Sequence, residues 1–388
     1  MTTALHIIAV LLALGCLAWW GMAATIHHNL RPAPWLKRLR SPPPAQWPPL
    51  SLVIPARDEA ETVADAMASR LAEDYPDLEI LLVDDRSTDG TREIVAALAA
   101  RHGRLQVLRL DDLPEGWLGK VHAMQRGVDI AQGDWVLLTD ADVHLAPGTL
   151  RRAVAHCEDR GLDFLAVVPR MRPVSPLLDA TLVVFLQIIC LGLRHQAVAD
   201  PDSPVGMGSG SFNLVRRDKL LEHHLLERVR LEVADDLALG LAAKAAGLRC
   251  GVLLGGDAVQ VTFYPSLGAM FRGSEKNGYA VLGRYSLWRT WLGSLAFLGV
   301  WLAPLLALGA WWLPALQILG AVTLMLATAQ LGGLARSNGW SPMVALLWPV
   351  GALLFAAMML RSGWLGWRRG GLVWRDSFYP TALLKGRE

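Results

Sequence analysis

Three short stretches decide the fold of this chain, and each is an apolar run that ends in acidic residues. They read SLVIPARDE at residues 51–59, LEILLVDDRSTDGT at 78–91 and WVLLTDAD at 135–142. Two more apolar runs of similar length occupy residues 105–110 and 164–168. Apolar runs of four to eight residues, bounded by turn-forming residues, predict buried β-strands.

Helical patterns alternate with these strands, near residues 59–73, 91–101, 120–131 and 148–158. This alternation predicts an α/β fold, with a mostly parallel sheet and helices on both of its faces. Ligands of such sheets bind at the carboxyl ends of the strands. We therefore expect the acidic groups that follow separate strands to converge on one edge: Asp58, Glu59, Asp84, Asp85, Asp140 and Asp142.

The N-terminal segment resembles a membrane anchor. Residues 6–26 contain no Asp, Glu, Lys or Arg, and a run of about 20 such residues can span a bilayer. A secretory signal peptide is the alternative, but no basic residue precedes the run. The flank at 31–40 has four basic residues and no acid, which places it in the cytoplasm by the positive-inside rule.

The chain is membrane-like again near its C-terminus. Apolar runs occur near 293–313, 315–335 and 343–360, and ten of the 16 Trp residues follow position 287. The apolar stretch 177–193 is short, so we interpret it as a buried or membrane-surface helix, with a true span as the alternative.

The expected organisation has five parts. A transmembrane helix at 1–30 is followed by a basic, Pro-rich linker at 31–49, whose prolines predict a stiff spacer. A catalytic domain at 50–285 precedes two or three membrane helices at 286–362 and a basic tail at 363–388. Three full spans would put this tail outside the cytoplasm, whereas the positive-inside rule favours the inside for Arg361, Arg368, Arg369 and Arg375. A re-entrant run would resolve the conflict, and the sequence leaves it open.

The triplet Asp140-Ala141-Asp142 follows an apolar strand. Residues two apart on an extended chain point the same way, so these two carboxylates share one side. Together with a diphosphate they could hold Mg²⁺ or Mn²⁺ through oxygen ligands. Taken alone, the triplet favours the solvated end of a strand, and the acids that follow the second strand shift the interpretation toward a metal site.

The segment 84–91 has two interpretations. Asp84 and Asp85 stand at a strand end, where they could accept hydrogen bonds from ribose hydroxyls and a base. Ser87, Thr88 or Asp89 could instead cap the helix that begins near Thr91. Asp58 could likewise cap the helix that follows it.

Taken together, these motifs resemble the family 2 glycosyltransferases of the GT-A fold. The matching stretches are residues 53–59, 83–91 and 140–142, in that order. The segment Gly116-Trp117-Leu118-Gly119-Lys120 resembles the membrane-bound branch that includes hopanoid-biosynthesis-associated and carotenoid-type glycosyltransferases.

The resemblance implies roles for individual residues. Asp236 would be the general base, with Asp235 beside it, although both also suit a helix N-terminus. Asp140 and Asp142 would ligate the metal. The donor would be contacted by Pro55, Arg57, Asp58, Glu59, Asp84, Asp85, Lys120, Asp140, Arg272 and Lys276.

One mark of the family's polysaccharide synthases is absent. Where they carry Gln-x-x-Arg-Trp, this chain has residues 272–279, which include Arg272 and Lys276. These two cations could meet the diphosphate or the lipid headgroups, and the departure argues against a polymer-making enzyme.

The glycine-rich loop 206–211 is interpreted as an ordinary connection, with a loop lining the acceptor site as the alternative.

The expected function is an inverting, metal-dependent transfer of a sugar, with a UDP-sugar as the expected donor. The acceptor would be a hopanoid, carotenoid-type or other membrane lipid, at the cytoplasmic face of the inner membrane in a multi-pass protein.

The net charge of +2 argues against nucleic-acid binding. Cys16, Cys157, Cys190 and Cys250 have no metal-site spacing and predict no disulfide framework.

Two other functions are open. A nucleotidyltransferase would carry a Gly-rich, basic loop after the first strand, and residues 55–59 lack one. A non-catalytic scaffold that binds nucleotide-sugar would not need acids at every motif position.

Overall fold

A computed structural model describes residues 3–31, 33–374 and 377–385. The chain divides into two compact units. The sheet unit comprises Ala33–Met171 and Arg194–Thr262, and the helical unit comprises Met1–Pro32, Arg172–Leu193 and Phe263–Glu388. Residues 172–193 and 263–285, which the sequence-based division included in the catalytic domain, therefore cluster with the apolar helices.

The sheet unit is built on eight strands. Their bounds are β1 Leu50–Ala56, β2 Leu78–Asp85, β3 Leu105–Leu110, β4 Trp135–Leu138, β5 His144–Leu145, β6 Phe164–Met171, β7 Asn213–Arg216 and β8 Cys250–Val261. The order across the sheet is β3-β2-β1-β4-β7-β6-β8-β5. The pairs β1/β2, β1/β4, β2/β3 and β6/β8 are parallel, whereas β7 and β5 run antiparallel to their neighbours. The five strands expected from the sequence are all present.

Helices connect these strands. Within the sheet unit they are α2 Val63–Leu71, α3 Thr91–Ala99, α4 Gly119–Ile130, α5 Thr149–Arg160, α7 His195–Ala199, α8 Arg217–Glu222, α9 Leu225–Arg228 and α10 Asp235–Ala245. The four helical patterns expected from the sequence correspond to the first four. All seven residues of β1 are buried, as expected for a central strand covered on both faces.

The Pro-rich linker packs on the sheet. Trp35 forms a parallel bridge with Leu254, and Leu36 in the short 3₁₀ helix Leu36–Arg38 is fully buried. Near the end of the linker, the hydroxyl of Tyr75 donates to the carbonyl of Pro48 at 2.7 Å. The start of the linker is thus part of the sheet unit, because Trp35 and Leu36 supply apolar surface that this unit buries.

The helical unit contains the remaining elements. They are α1 Thr3–Leu30, α6 Pro176–Gly192, α11 Leu267–Gly273, α12 Glu275–Asn277, α13 Leu287–Leu308, α14 Pro314–Ser337, α15 Trp348–Arg369, β9 Gly371–Trp374, β10 Ser377–Pro380 and α16 Thr381–Lys385. A π-helix at Gly278–Leu282 precedes α13, and a 3₁₀ helix at Pro342–Leu347 precedes α15.

Three long helices of this unit lie side by side with alternating direction. Trp19 in α1 donates its indole N–H to the carbonyl of Val300 in α13 at 3.2 Å, while Ala9 packs near Ala310. These two contacts make α1 antiparallel to α13. Gly320 in α14 approaches Ala307, so α14 returns in the direction of α1. The end of α1, the start of α13 and the end of α14 therefore lie together, and we call this the near end.

The segment Pro342–Arg369 follows a different path. Pro342 lies beside Gly332 of α14, and Trp348 packs against the rings of Trp19 and Trp301 in the interior of the unit. From there α15 runs back along α13, so that Gly363 meets Thr290. Both the entry and the exit of this segment are therefore at the near end.

Among the described residues, four segments are long and apolar enough to cross a membrane, judged by length and composition: Thr3–Leu30, Leu287–Leu308, Pro314–Ser337 and Pro342–Arg369. The shorter apolar helix α6 packs within the helical unit, where Gly351 of α15 approaches the backbone of Ala180. At the near end, Glu275 forms ion pairs with Arg361 and Arg369. Arg375, the remaining basic residue expected in the tail, lies outside the described residues.

Candidate active site

The loops after β1 and β2 are bound to each other. Oδ1 of Asp58 accepts hydrogen bonds from the backbone N–H groups of Thr88, at 2.7 Å, and Asp89, at 3.3 Å. The N–H of Asp58 donates in return to Oγ of Ser87 at 3.1 Å. Asp58 has a φ of 52°, a conformation that costs a non-glycine residue free energy, and these hydrogen bonds offset that cost. Its carboxylate thus ties two loops together and does not cap α2.

The same pair of loops positions the start of α3. Oδ1 of Asp89 accepts from the N–H of Thr91 at 2.9 Å, an Asx-type turn at the helix entrance. Its other oxygen accepts from the N–H of Ala60 at 3.0 Å, and the N–H of Glu59 donates to Oγ1 of Thr91 at 2.7 Å. Of the three residues that could cap this helix, Asp89 is the one that bonds to its first turn.

The acids at the end of β2 are enclosed by protein. Asp84 is fully buried, and its two oxygens accept from the N–H of Ser87 at 3.2 Å and from Nε of Arg92 at 2.9 Å. Asp85 accepts two hydrogen bonds from the guanidinium of Arg86, at 2.7 and 3.1 Å. The start of α4 closes over this pair, since a Cβ at Gly119 would lie 2.5 Å from Oδ2 of Asp85.

A buried arginine underlies the Asp140–Asp142 turn. Arg70 in α2 has no exposed surface and donates to the carbonyl oxygens of Asp140 and Ala141, the latter at 3.1 Å. Burial lowers the pKa of Arg70 to about 10, against the opposing effect of Asp142 and Asp140. Sequence analysis missed Arg70, because no motif connects it to a turn 70 residues later in the chain.

The carboxyl group of Asp142 lies among like charges. Burial, and after it the neighbouring carboxylates of Asp140 and Glu59, raise the pKa of Asp142 to about 7, while Arg70 opposes the rise. Clustered carboxylates repel one another, so a cation bound among them would be stabilised.

Lys120 connects this turn to the start of α10. Its ammonium lies 2.7 Å from Oδ1 of Asp140 and 3.0 Å from Oδ2 of Asp235. Burial alone would lower the pKa of Lys120, but the two carboxylates outweigh it and hold the pKa above its usual range. Lys120 therefore joins the Asp140–Asp142 turn to the first turn of α10.

Asp236 stands beside Asp235 in the first turn of α10. Its Oδ2 accepts from the N–H of Gly210 at 2.9 Å, and its Oδ1 accepts from the N–H of Leu237 at 2.8 Å. Burial and the charge of Asp235 raise the pKa of Asp236, while Lys120 and the two N–H groups oppose the rise. A carboxylate of raised pKa is a stronger base than an ordinary aspartate.

The glycine-rich loop 206–211 belongs to this cluster. The N–H of Asp140 donates to the carbonyl of Gly210 at 3.0 Å, so the backbone of Gly210 bonds to both Asp140 and Asp236. A Cβ at Gly210 would lie 2.6 Å from Oδ2 of Asp140, and one at Gly208 would lie 1.8 Å from the carbonyl of Asp236. The interpretation of this loop as an ordinary connection is wrong, because its glycines permit this close approach.

The residues present fit a divalent cation whose remaining ligands come from a donor. Asp140 and Asp142 supply hard carboxylate oxygens, the ligand type of Mg²⁺ and Mn²⁺. Among the described residues, no group of three or more His, Cys, Asp or Glu side chains is arranged to hold a metal alone. A diphosphate would have to complete the coordination.

The remaining residues expected at the site divide between the two units. Pro55 is paired with Val83 inside the sheet, and Arg57 lies with its Nε 3.8 Å from Oδ2 of Asp58. Arg272 and Lys276 belong to the helical unit, where the ammonium of Lys276 lies 3.5 Å from the ring centroid of Trp374. The sheet unit therefore brings together Asp140, Asp142, Lys120, Asp235 and Asp236.

The core of the sheet unit is similar to a known protein family. The model of the family Glycosyl transferase family 2 matches residues 51–223, which include β1 from its second residue and every strand from β2 to β7.

Individual relatives are similar over the same part of the chain. A poly-beta-1,6-N-acetyl-D-glucosamine synthase of Staphylococcus epidermidis is 33% identical over 44% of this chain and 40% of its own length. A beta-monoglucosyldiacylglycerol synthase of Nostoc sp. is 29% identical over 39% of this chain and 32% of its own length. A dodecaprenyl-phosphate galacturonate synthase of Rhizobium johnstonii is 36% identical over 31% and 36%, respectively. The chain thus spans well under half the length of these relatives.

A solved structure confirms the fold. A mannosyltransferase from Pyrobaculum calidifontis, in complex with GDP-Man and Mn²⁺, superposes with a TM-score of 0.54 at 19% identity. The match covers 92% of this chain and 98% of the other. At this identity the likeness shows the fold, which is the GT-A type expected from the sequence motifs.

Proposed function

From the glycosyl transferase family 2 domain that residues 51–223 form, we propose that this protein transfers a sugar from a nucleotide-sugar to a membrane lipid. The single observation that carries the proposal is the position of Asp236. Its carboxylate bonds to the Gly210 backbone, which also bonds to Asp140 of the Asp140–Asp142 turn. A base and a diphosphate site are thus neighbours.

The transfer proceeds as a single displacement. Asp236 removes the proton of the acceptor hydroxyl as that oxygen bonds to the anomeric carbon, and the bond from this carbon to the diphosphate oxygen breaks. Attack opposite the leaving group inverts the anomeric configuration. Asp235 and Asp140 hold the ammonium of Lys120, which faces the charge of the departing diphosphate.

Asp140 and Asp142 would hold Mg²⁺ or Mn²⁺, which when bound offsets the negative charge of the leaving diphosphate. Arg70 keeps the backbone of this turn in place by bonding two of its carbonyls. The family resemblance implies that the nucleotide is contacted by the loops that carry Glu59, Asp58 and Asp84. In this chain, the carboxylates of Asp58 and Asp84 are bonded within the protein.

A lipid acceptor is supported by the helical unit and by two relatives. The chain has apolar segments before and after the sheet unit, which a soluble acceptor would not require. The names of the Nostoc and Rhizobium johnstonii relatives specify a glycerolipid product and a dodecaprenyl phosphate product. Hopanoids and carotenoid-type lipids are further acceptors to test.

Radiolabelled sugar transfer tests the proposal. Full-length protein in membranes is given labelled UDP-sugars or GDP-mannose with a bacterial lipid extract and Mn²⁺, and label is counted in the organic phase. We expect label there with the wild type and not with Asp236→Asn. Label in a water-soluble polymer would contradict the proposal. Release of labelled sugar 1-phosphate without sugar transfer would indicate a nucleotidyltransferase, and donor binding without turnover would indicate a scaffold.

The helical unit supports a topology in which the last apolar segment does not cross the membrane. The end of α1 and the start of α13 lie together at the near end of this unit, and Arg361 and Arg369 also lie there. The basic residues at 31–40 and the pair Arg361 and Arg369 would then lie on the same, cytoplasmic side of the inner membrane, in agreement with the positive-inside rule. Three segments cross and Pro342–Arg369 is re-entrant.

Single cysteines test this topology, since the four native cysteines are buried. Trp311→Cys in the exposed loop after α13 should react with a membrane-impermeant thiol reagent in intact cells. Ser337→Cys and Arg368→Cys should react only after the membrane is permeabilised. Labelling of Arg368→Cys together with Trp311→Cys would show that the last segment crosses.

A further inference from the structure

A groove runs along one face of α14 in the helical unit. It has a volume of about 660 Å³ and is lined by apolar and small side chains, among them Leu324, Met325, Ala329, Gly333 and Pro342. Its one charged lining residue is Arg336, in the last turn of α14. Ligand sites in proteins commonly enclose about 300–1,000 Å³, so this groove is large enough for part of a lipid.

The length of the groove matches one leaflet of a bilayer. From Leu324 to Arg336 the helix rises about 18 Å at 1.5 Å per residue. Half of a hydrocarbon core is about 15 Å thick. Arg336 lies at the near end, in the last turn of α14, and a basic side chain at the end of a span is typical of the headgroup level. The groove therefore extends from the headgroup level to about the middle of the bilayer.

The charge of the groove favours an anion at its mouth. Arg336 is exposed, and within the part of the chain that the structure describes no carboxylate pairs with it. The lining contains no acid. A guanidinium binds phosphate oxygens through two parallel hydrogen bonds, which makes it the side chain best suited to a lipid phosphate.

We propose that this groove binds one anionic phospholipid. The phosphate pairs with Arg336, and one acyl chain lies along Ala329 and Gly333 toward Leu324. A lipid headgroup with net negative charge should bind more tightly than a zwitterionic headgroup such as phosphocholine. In phosphocholine the positively charged choline group competes with Arg336 for the phosphate of the same headgroup. The site is separate from the residues proposed for sugar transfer and does not depend on that function.

Native mass spectrometry of the full-length protein in detergent tests the proposal. The protein is titrated with phosphatidylglycerol or phosphatidylcholine of the same acyl chains. We expect one molecule of phosphatidylglycerol to be retained about tenfold more strongly than phosphatidylcholine, which corresponds to about 1.4 kcal/mol. Arg336→Gln should abolish this preference while leaving a weak, headgroup-independent binding of both lipids.

Filling the groove should remove both lipids. A Cβ at Gly333 would have nothing within 4 Å, so Gly333→Leu adds a side chain that the protein itself accommodates. Gly299 in α13 is equally open, and Gly299→Leu is the matched control that should bind as the wild type does. Arg368, also exposed at the end of a helix, supplies the control Arg368→Gln.

Three results would overturn the proposal. In the first, Arg336→Gln keeps the preference for phosphatidylglycerol, which would show that Arg336 does not bind the phosphate. In the second, Arg368→Gln loses the preference as fully as Arg336→Gln does, which would indicate a diffuse attraction between basic residues and headgroups. Equal binding by Gly333→Leu and the wild type would show that the lipid lies elsewhere. Loss confined to Arg336→Gln and Gly333→Leu, with both controls unaffected, supports the groove.

Discussion

The carboxylates after β1 and β2 differ from those around the Asp140–Asp142 turn in what they contact. Asp58 accepts hydrogen bonds from the loop after β2. Asp84 has no exposed surface and accepts from Ser87 in its own loop and from Arg92 in α3. Asp142 and Asp236 instead lie beside other carboxylates, and the pKa of each is raised. Acidic residues at the ends of adjacent strands can therefore be either structural or reactive. Their partners decide which, and four substitutions test this distinction.

The largest effect is expected for the Asp140–Asp142 turn. Asp142→Ala should abolish transfer and leave the fold intact, because it removes a carboxylate that repels its neighbours and would ligate the metal. EDTA should abolish transfer in the wild type, with recovery on addition of excess Mn²⁺. Transfer is measured by the radiolabel assay and folding by thermal unfolding of the detergent-solubilised protein. Full activity in EDTA would contradict a metal role.

Asp236→Asn should reduce kcat by about 10²–10⁴, the usual contribution of a general base. Donor binding should be retained, since the substitution preserves size. The raised pKa of Asp236 also predicts the pH profile. Its carboxylate must be ionised to act, so activity should be lost as pH falls through a value above the ordinary pKa of aspartate, about 3.9. If Asp235→Asn were instead the more damaging change, the base would be the preceding residue.

Gly210→Ala should reduce kcat by about 10- to 100-fold, since small displacements at a reacting centre are costly. Its Cβ would lie 2.6 Å from Oδ2 of Asp140, so the turn or the loop must shift. Gly90→Ala is the matched control in the other group of loops, because its nearest neighbour would be 3.9 Å away. The rates of the two variants are compared by single-turnover kinetics. Equal rates would show that the close approach of Gly210 to Asp140 is not needed for transfer.

The smallest effect on catalysis is expected for Asp58→Ala. The loops would lose hydrogen bonds to a carboxylate, at a cost of about 1–2 kcal/mol in the free energy of unfolding. The melting temperature should fall, while kcat at saturating donor stays near that of the wild type. A large rise in the KM for the donor would show that Asp58 also binds nucleotide, as the family resemblance implies, and would break the distinction between the two groups.

The sequence was sufficient to predict elements whose signal is local. Trp135–Leu138 is an unbroken apolar run, and Leu50–Ala56 is interrupted only by Ser51 and Pro55. Short apolar runs of this kind, bounded by turn-forming residues, predict buried strands. The parallel order of β1, β2 and β4 then brings their following acids to one edge. Asp140 and Asp142 were therefore found from their place after an apolar strand.

Tertiary structure alone decided the features that depend on contacts between distant parts of the chain. Arg70 bonds to a turn 70 residues away, and Gly210 reaches Asp236 across 26 residues. No periodicity signals such contacts, because they follow from how helices and loops pack on the sheet. The path of Pro342–Arg369 is a further case. Its composition is that of a membrane span, but whether it crosses depends on the helices it packs against, here α13 and α14.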